Sequence, residues 1–235
     1  MGTVTQENAV DNSMPKIKAT PEQVALGKKL RQTLRGHIQK RRGGITFVGP
    51  KGVGKTRIMG LVHSKAPKGE RTLNLFAACK TDHAEKQAGE VGVAVGCKPL
   101  TLGRLSAVNA ALKSSESATF TMTPTSFGNL LNPTHALHKK CITTLKASGV
   151  TCIHLAVDEA HKAYAGSSNK PARIDAWRGA LAEQKIALVV TAVTATPLWD
   201  VKSKAQLGLA KRACTVLGLE VGDCNNTHYN SGNYV

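Results

Sequence analysis

Eight consecutive residues, Gly49, Pro50, Lys51, Gly52, Val53, Gly54, Lys55 and Thr56, carry the densest chemistry in the chain. They fit G-x-x-x-x-G-K-[ST], a loop whose glycines let the backbone wrap around phosphate oxygens. Successive N–H groups then point inward. Lys55 would neutralise the β- and γ-phosphates of a nucleoside triphosphate, and the Thr56 hydroxyl would ligate Mg²⁺. A helix expected after the loop, through "IMGLVHSK", turns its positive end to the same phosphates. A glycine-rich turn can arise by chance, but here an apolar strand precedes it and a helical pattern follows.

A second group lies in "IHLAVDEAH", residues 153–161. An apolar strand ends in Asp158, which brings a carboxylate to the C-terminal edge of a sheet, where parallel α/β folds place their ligands. Asp158 would hold Mg²⁺ through water, and Glu159 would orient and deprotonate an attacking water. Read alone, the pair is an ordinary surface Asp-Glu at a strand end. Beside a phosphate loop, it suits hydrolysis. The third group is "VVTAVTATP", residues 189–197, where Thr194 and Thr196 could bond a neighbouring acid or His161. A Thr-rich strand end closed by Pro197 is the plainer reading.

The elements that must position these residues follow from periodicity. Leu26, Leu30, Leu34 and Ile38 mark one apolar helix face. Thr20, Pro21 and Gln23 open that helix with a capping-box pattern, and Gly43 and Gly44 are expected to end it. Strands are expected at 45–49, 72–78, 91–95, 118–123, 151–157 and 186–193, with a polar helical stretch over 81–90. Runs as apolar as "TCIHLAV" and "IALVVTAV" suit a sheet covered on both faces. The alternation predicts a doubly wound α/β domain with a mostly parallel sheet over residues 20–220. Residues 1–19 read as a disordered arm and 221–235 as a polar tail.

Composition narrows the partners. The 32 Lys and Arg against 15 Asp and Glu leave a net charge of +17, which favours a polyanion such as nucleic acid over a partnerless basic protein. The first helix carries Lys28, Lys29, Arg31, Arg35 and Lys40, followed by Arg41 and Arg42, either as a solvated face or as a phosphate-contacting one. The 6 cysteines include no C-x-x-C pair, so neither a zinc module nor a disulfide framework is indicated. Cys152 reads as a core residue and His135 and His138 as structural. No signal peptide or membrane span is evident, which points to an intracellular protein, cytoplasmic or nuclear, and not a secreted one.

Together the three groups resemble the first RecA-like domain of superfamily 2 helicases and translocases. The glycine loop looks like motif I (Walker A). Asp158-Glu159-Ala160-His161 spells the DEAH box of motif II, and Thr194-Ala195-Thr196 looks like motif III. Lys55 precedes Asp158 by 103 positions, and Asp158 precedes Thr194 by 36, which fits the family's order. "AACKTDHAEKQ" stands where motif Ia belongs, and "TMTPTSF" resembles motif Ib. The resemblance implies a RecA-like P-loop NTPase domain that hydrolyses ATP with Mg²⁺ and moves along, or remodels, DNA or RNA. It places Thr123, Pro124 and Ser126, with Lys80 and Thr81, near the nucleic-acid backbone. It makes His161, Thr194 and Thr196 the coupling residues, and it offers Gln23 as an adenine-reading glutamine despite its long separation from the loop.

Such motors use a second RecA-like domain that supplies arginines to the γ-phosphate. "QLGLAKRA" follows motif III too closely to supply them. The expectation is therefore a fragment of a longer enzyme, half of a two-chain machine, or a domain with poor turnover. A one-domain ATP switch that grips nucleic acid without useful hydrolysis is the alternative, and another P-loop ATPase, such as an AAA+ type, is the third.

Overall fold

Thr20 opens helix α1 (Pro21–Gln39): its hydroxyl accepts from the Gln23 N–H at 3.3 Å, while its own N–H donates to Gln23 Oε1 at 3.1 Å. Two orphan donors are thus satisfied reciprocally. The expected stop at the glycine pair comes early. α1 ends at Gln39, Arg41 takes a left-handed φ of 55°, and its guanidinium donates to the carbonyls of Thr151 and Lys185. Two long-range carbonyl bonds hold a conformation that glycine would have been expected to supply. Gly44 instead begins strand β1 (Gly44–Val48), where a Cβ would lie 1.8 Å from the Val190 carbonyl oxygen.

The computed structural model describes residues 19–49, 52–63, 69–84, 87, 100–164, 169–195 and 219–220. Five further strands join β1: β2 (Thr72–Ala77), β3 (Ser117–Met122), β4 (Cys152–Val157), β5 (Ala187–Thr194) and the short β6 (Leu219–Glu220). Their order is β3-β2-β4-β5-β1-β6, and every pairing is parallel. The predicted strand at 91–95, most of the arm and the tail 221–235 lie outside the described residues.

Alternate strand residues face two helical layers, as the two-residue period of a strand requires. On one side Ile45, Phe47, Phe76, Cys152, Ala156, Val189 and Val193 pack beneath α1 and α2 (Lys55–His63). On the other, Leu73, Leu75, Ile153, Leu155, Leu188 and Val190 meet α3 (Leu105–Ser114), α4 (Pro124–Leu130), α5 (Ala136–Ala147) and α7 (Lys170–Glu183). A one-turn helix, α6 (Ala160–Ala163), follows β4. Both faces of β4 and β5 are buried, which explains their unbroken apolar runs. Trp177 and Tyr164 are buried in the second layer, so neither offers a surface on which a base could stack. His135 caps α5 through Nδ1, and His138 is buried with Nδ1 2.8 Å from the Leu130 carbonyl oxygen.

Candidate active site

β1 delivers the glycine loop and β4 delivers the acids, with β5 between them. Val48 is level with Thr194 across one seam, and Val157 with Ala192 across the next. Two inter-strand steps of about 4.8 Å separate the two strands. The loop residues and the acids therefore leave the same edge of the sheet.

The loop's backbone is set by Gly52 (φ 90°) and Gly54 (φ 77°), a region that side-chain-bearing residues rarely adopt. Lys55 opens α2, and its ammonium donates to the Gly49 carbonyl at 3.0 Å, closing the loop on itself. Burial lowers the Lys55 pKa, while the charges of Glu159 and Asp158 act in the opposite direction. Thr56 is half-buried one residue further on. Pro50 and Lys51 lie outside the described residues.

Asp158 is buried, its N–H donates to the Ala77 carbonyl at 2.9 Å, and one carboxylate oxygen accepts from Gln87 Nε2 at 2.9 Å. Burial pushes its pKa up, and the Gln87 bond pulls it down. Glu159 takes a left-handed conformation (φ 47°, ψ 46°), which turns the chain sharply from β4 into α6. His161 Nδ1 lies 3.2 Å from Glu159 Oε2 and 2.7 Å from Thr194 Oγ1. A neutral imidazole serves these two contacts by alternatives: a protonated Nδ1 donates to the carboxylate, and an unprotonated one accepts from the hydroxyl. Burial lowers the His161 pKa, which favours the neutral ring. Thr194 is fully buried as the last residue of β5, and its carbonyl accepts from the Gly49 N–H at 3.0 Å. Loop, acid turn and β5 end are therefore joined through Thr194. Thr196 lies outside the described residues.

The residues assigned to nucleic acid stand elsewhere on that edge. Thr123 caps α4, its hydroxyl accepting from the Ser126 N–H at 3.1 Å, with Pro124 at the first helical position. This local role accounts for their identities without a ligand. Lys80 and Thr81 follow β2 and are exposed.

Two contacts were not anticipated. Gln23 Nε2 donates to the Val53 carbonyl at 3.1 Å, so α1 pins the glycine loop. The separation in sequence concealed this, although the capping box already placed Gln23 at the end of α1 nearest the loop. Gln87, the other, steadies Asp158, and no pattern in the chain marked it.

Similar folds occur among solved helicase structures. The helicase MrfA bound to DNA matches at a TM-score of 0.52 and 16% identity, over 88% of this chain and 30% of that one. MrfA bound to DNA and AMPPNP matches at 0.50 and 17%, over 88% and 29%. The chain shares with MrfA an α/β fold built on a parallel sheet flanked by helices. The Hef helicase domain of Pyrococcus furiosus gives a TM-score of 0.48 at 15% identity, over 84% of this chain and 38% of that one. The chain thus spans less than two fifths of each of these three helicase structures. No family model matches the sequence, and no curated protein matches it. Within this parallel α/β fold the glycine loop, the acid pair and Thr194 all lie at one end of the strands. No helix among the described residues is long and apolar enough to cross a membrane.

Proposed function

We propose that the chain is the ATP-binding motor domain of a nucleic-acid helicase or translocase. One observation carries the reading: Thr194 joins the glycine loop to the acid turn, its carbonyl accepting from the Gly49 N–H at 3.0 Å and its hydroxyl lying 2.7 Å from His161 Nδ1, itself 3.2 Å from Glu159 Oε2. A triphosphate seated in the loop can then reach the lysine and the acid pair together. In this reading the loop from Gly49 to Thr56 wraps the phosphates, backbone N–H groups after Pro50 hold them, and Lys55 leaves the Gly49 carbonyl to bind the β- and γ-oxygens. Thr56 and Asp158 would hold Mg²⁺, which would supply further positive charge to those oxygens. Mg²⁺ is commonly held by one or two carboxylates plus substrate phosphates, so this small protein donor set fits it.

Glu159 accepts the proton of a water as that water attacks the γ-phosphorus. The bond from the γ-phosphorus to the β–γ bridging oxygen breaks, and its electron pair leaves with ADP. His161, Thr194 and Thr196 couple the acid turn to the end of β5. Thr123, Pro124, Ser126, Lys80 and Thr81 lie along the nucleic-acid backbone. A second RecA-like domain, in a longer chain or in a partner, supplies the arginine that completes the site.

The test is ATPase turnover with and without single-stranded DNA or RNA. Nucleic acid should raise the rate, and Lys55→Ala and Glu159→Gln should each abolish it. Turnover indifferent to both changes would overturn the assignment. A chain that binds ATP tightly and never hydrolyses it, even with the second domain added, would favour the switch.

A further inference from the structure

The segment 21–43 carries seven Lys or Arg and one acid, Glu22. Two of the seven are engaged within the fold: Arg31 donates to the Leu61 carbonyl, and Arg41 to those of Thr151 and Lys185. Lys28, Lys29, Arg35, Lys40 and Arg42 are exposed, and none takes part in an ion pair among the described residues. Helix periodicity puts Lys28, Gln32, Arg35 and Gln39 in one row, with Lys29 and Lys40 beside it, opposite the buried Leu30, Leu34 and Ile38. No carboxylate stands one turn away from any of these cations on α1 after Glu22. Arg35 instead stands one turn from Arg31, and like charges at that spacing destabilise a helix.

We propose that this exposed face of α1 is a second nucleic-acid contact surface, which grips phosphates and is separate from the strand-end residues assigned above. Lys28 to Lys40 covers about 18 Å along the helix axis. That distance matches roughly five phosphates of one duplex strand at a 3.4 Å rise. α1 packs over β1 and β5, whereas Thr123 follows β3 at the opposite edge of the sheet. Four inter-strand steps, about 19 Å, separate β1 from β3. A strand held at the β3 edge therefore leaves α1 free to take a flanking stretch, or the duplex ahead of it. The surface reads charge and not sequence, because lysine and arginine contacts to phosphates position without specifying.

The proposal rests on the nucleic-acid reading above but not on hydrolysis, so binding is measured without nucleotide. Affinity for a 30-nucleotide single strand and for a 30-base-pair duplex is followed across a salt series. The variant Lys28→Gln/Lys29→Gln/Arg35→Gln/Lys40→Gln keeps good helix formers and removes four charges. Its log affinity should fall with log salt less steeply than wild type, the slope being smaller by about 3. Affinity at low salt should drop on the order of tenfold or more. Circular dichroism and nucleotide binding should match wild type, which excludes misfolding. If helicity is lost, Lys28→Gln and Lys40→Gln are read singly, each expected to reduce the slope by about 0.7–0.9. An unchanged slope overturns the proposal and leaves the motor reading intact. Loss of binding to anionic phosphatidylserine vesicles, with nucleic-acid affinity untouched, also overturns it. Wild type that binds neither probe overturns this proposal and the motor reading together.

Discussion

Glu159 is the residue at which chemistry and backbone strain coincide. A left-handed conformation crowds the Cβ of an L-residue against the backbone, at about 1–2 kcal/mol, and such strain collects at functional sites. Here it is held by the register of β4, by α6, whose Lys162 N–H donates to the Glu159 carbonyl at 2.7 Å, and by the His161 contact. The conformation turns the chain out of the strand, and the carboxylate lies 3.2 Å from His161 Nδ1. This leads to an inverted stability order. At an ordinary position glycine is less stable than alanine, because it is freer in the unfolded chain by about 0.4–1 kcal/mol. At position 159 the strain outweighs that difference, so Glu159→Gly should be more stable than Glu159→Ala, by up to about 1 kcal/mol. Both should lack ATPase activity. Urea denaturation of the two variants measures the difference, and alanine ahead of glycine would show that the left-handed turn does not persist in solution.

At the scale of elements, α1 acts as a buttress for the glycine loop. Gln23 works at both ends: its oxygen accepts from the Thr20 N–H, and its nitrogen donates to the Val53 carbonyl. Gly54 leaves room for it, since a Cβ there would lie 2.6 Å from Gln23 Nε2. Gln23→Glu separates the two roles. The carboxylate still caps the helix but presents an acceptor to the Val53 carbonyl, so helix stability should hold while ATP affinity falls on the order of tenfold, about 1.4 kcal/mol. Gln23→Ala should lose both, with about 1 kcal/mol of unfolding free energy gone. Isothermal titration with ATP beside thermal melts reads the two losses. Equal ATP affinity in all three proteins would remove the buttress.

The pairing of Gln23 with Val53 also shows where the sequence stops being legible. The capping box, the glycine loop, the acid turn and the buried strands are local patterns, each written within ten residues, and each was readable. The 30-residue reach from Gln23 to Val53, and the 71-residue reach from Gln87 to Asp158, depend on how α1 and the segment after β2 pack. No element is expected from the sequence at α3, α4, α5, α6 or α7 either. In α7 the core positions Ile174, Trp177 and Leu181 are few, and no side chain caps the N-terminus, so the helix is defined by the sheet it covers.

At the scale of the whole molecule, the layer beneath α1 and α2 is not uniformly apolar. Asn74, His154 and Thr191 face it from β2, β4 and β5, and His63 meets them from the end of α2. His154 Nε2 lies 2.7 Å from Thr191 Oγ1, and the two imidazoles cross edge to face at 4.6 Å. His63 is 2% exposed, and neither ring nitrogen has a hydrogen-bond partner among the described residues. A proton on either ring would be a buried, uncompensated charge. Burial accordingly drives the His154 pKa down to about 3, and burial with the His154 ring beside it drives His63 well below its ordinary value. An unfolded histidine takes up its proton near pH 6.5. Stability from these groups is therefore complete above that pH and is lost as pH falls towards the folded value, because only the unfolded chain then binds protons. Each histidine should cost about 1.4 kcal/mol per pH unit in that window, so His154 alone removes about 2 kcal/mol at pH 5. Urea midpoints from pH 7.5 to 5 should fall steeply, and His154→Gln should flatten the profile by about half. A wild-type profile level across that range would mean that both rings take up protons, or meet solvent, in the folded protein.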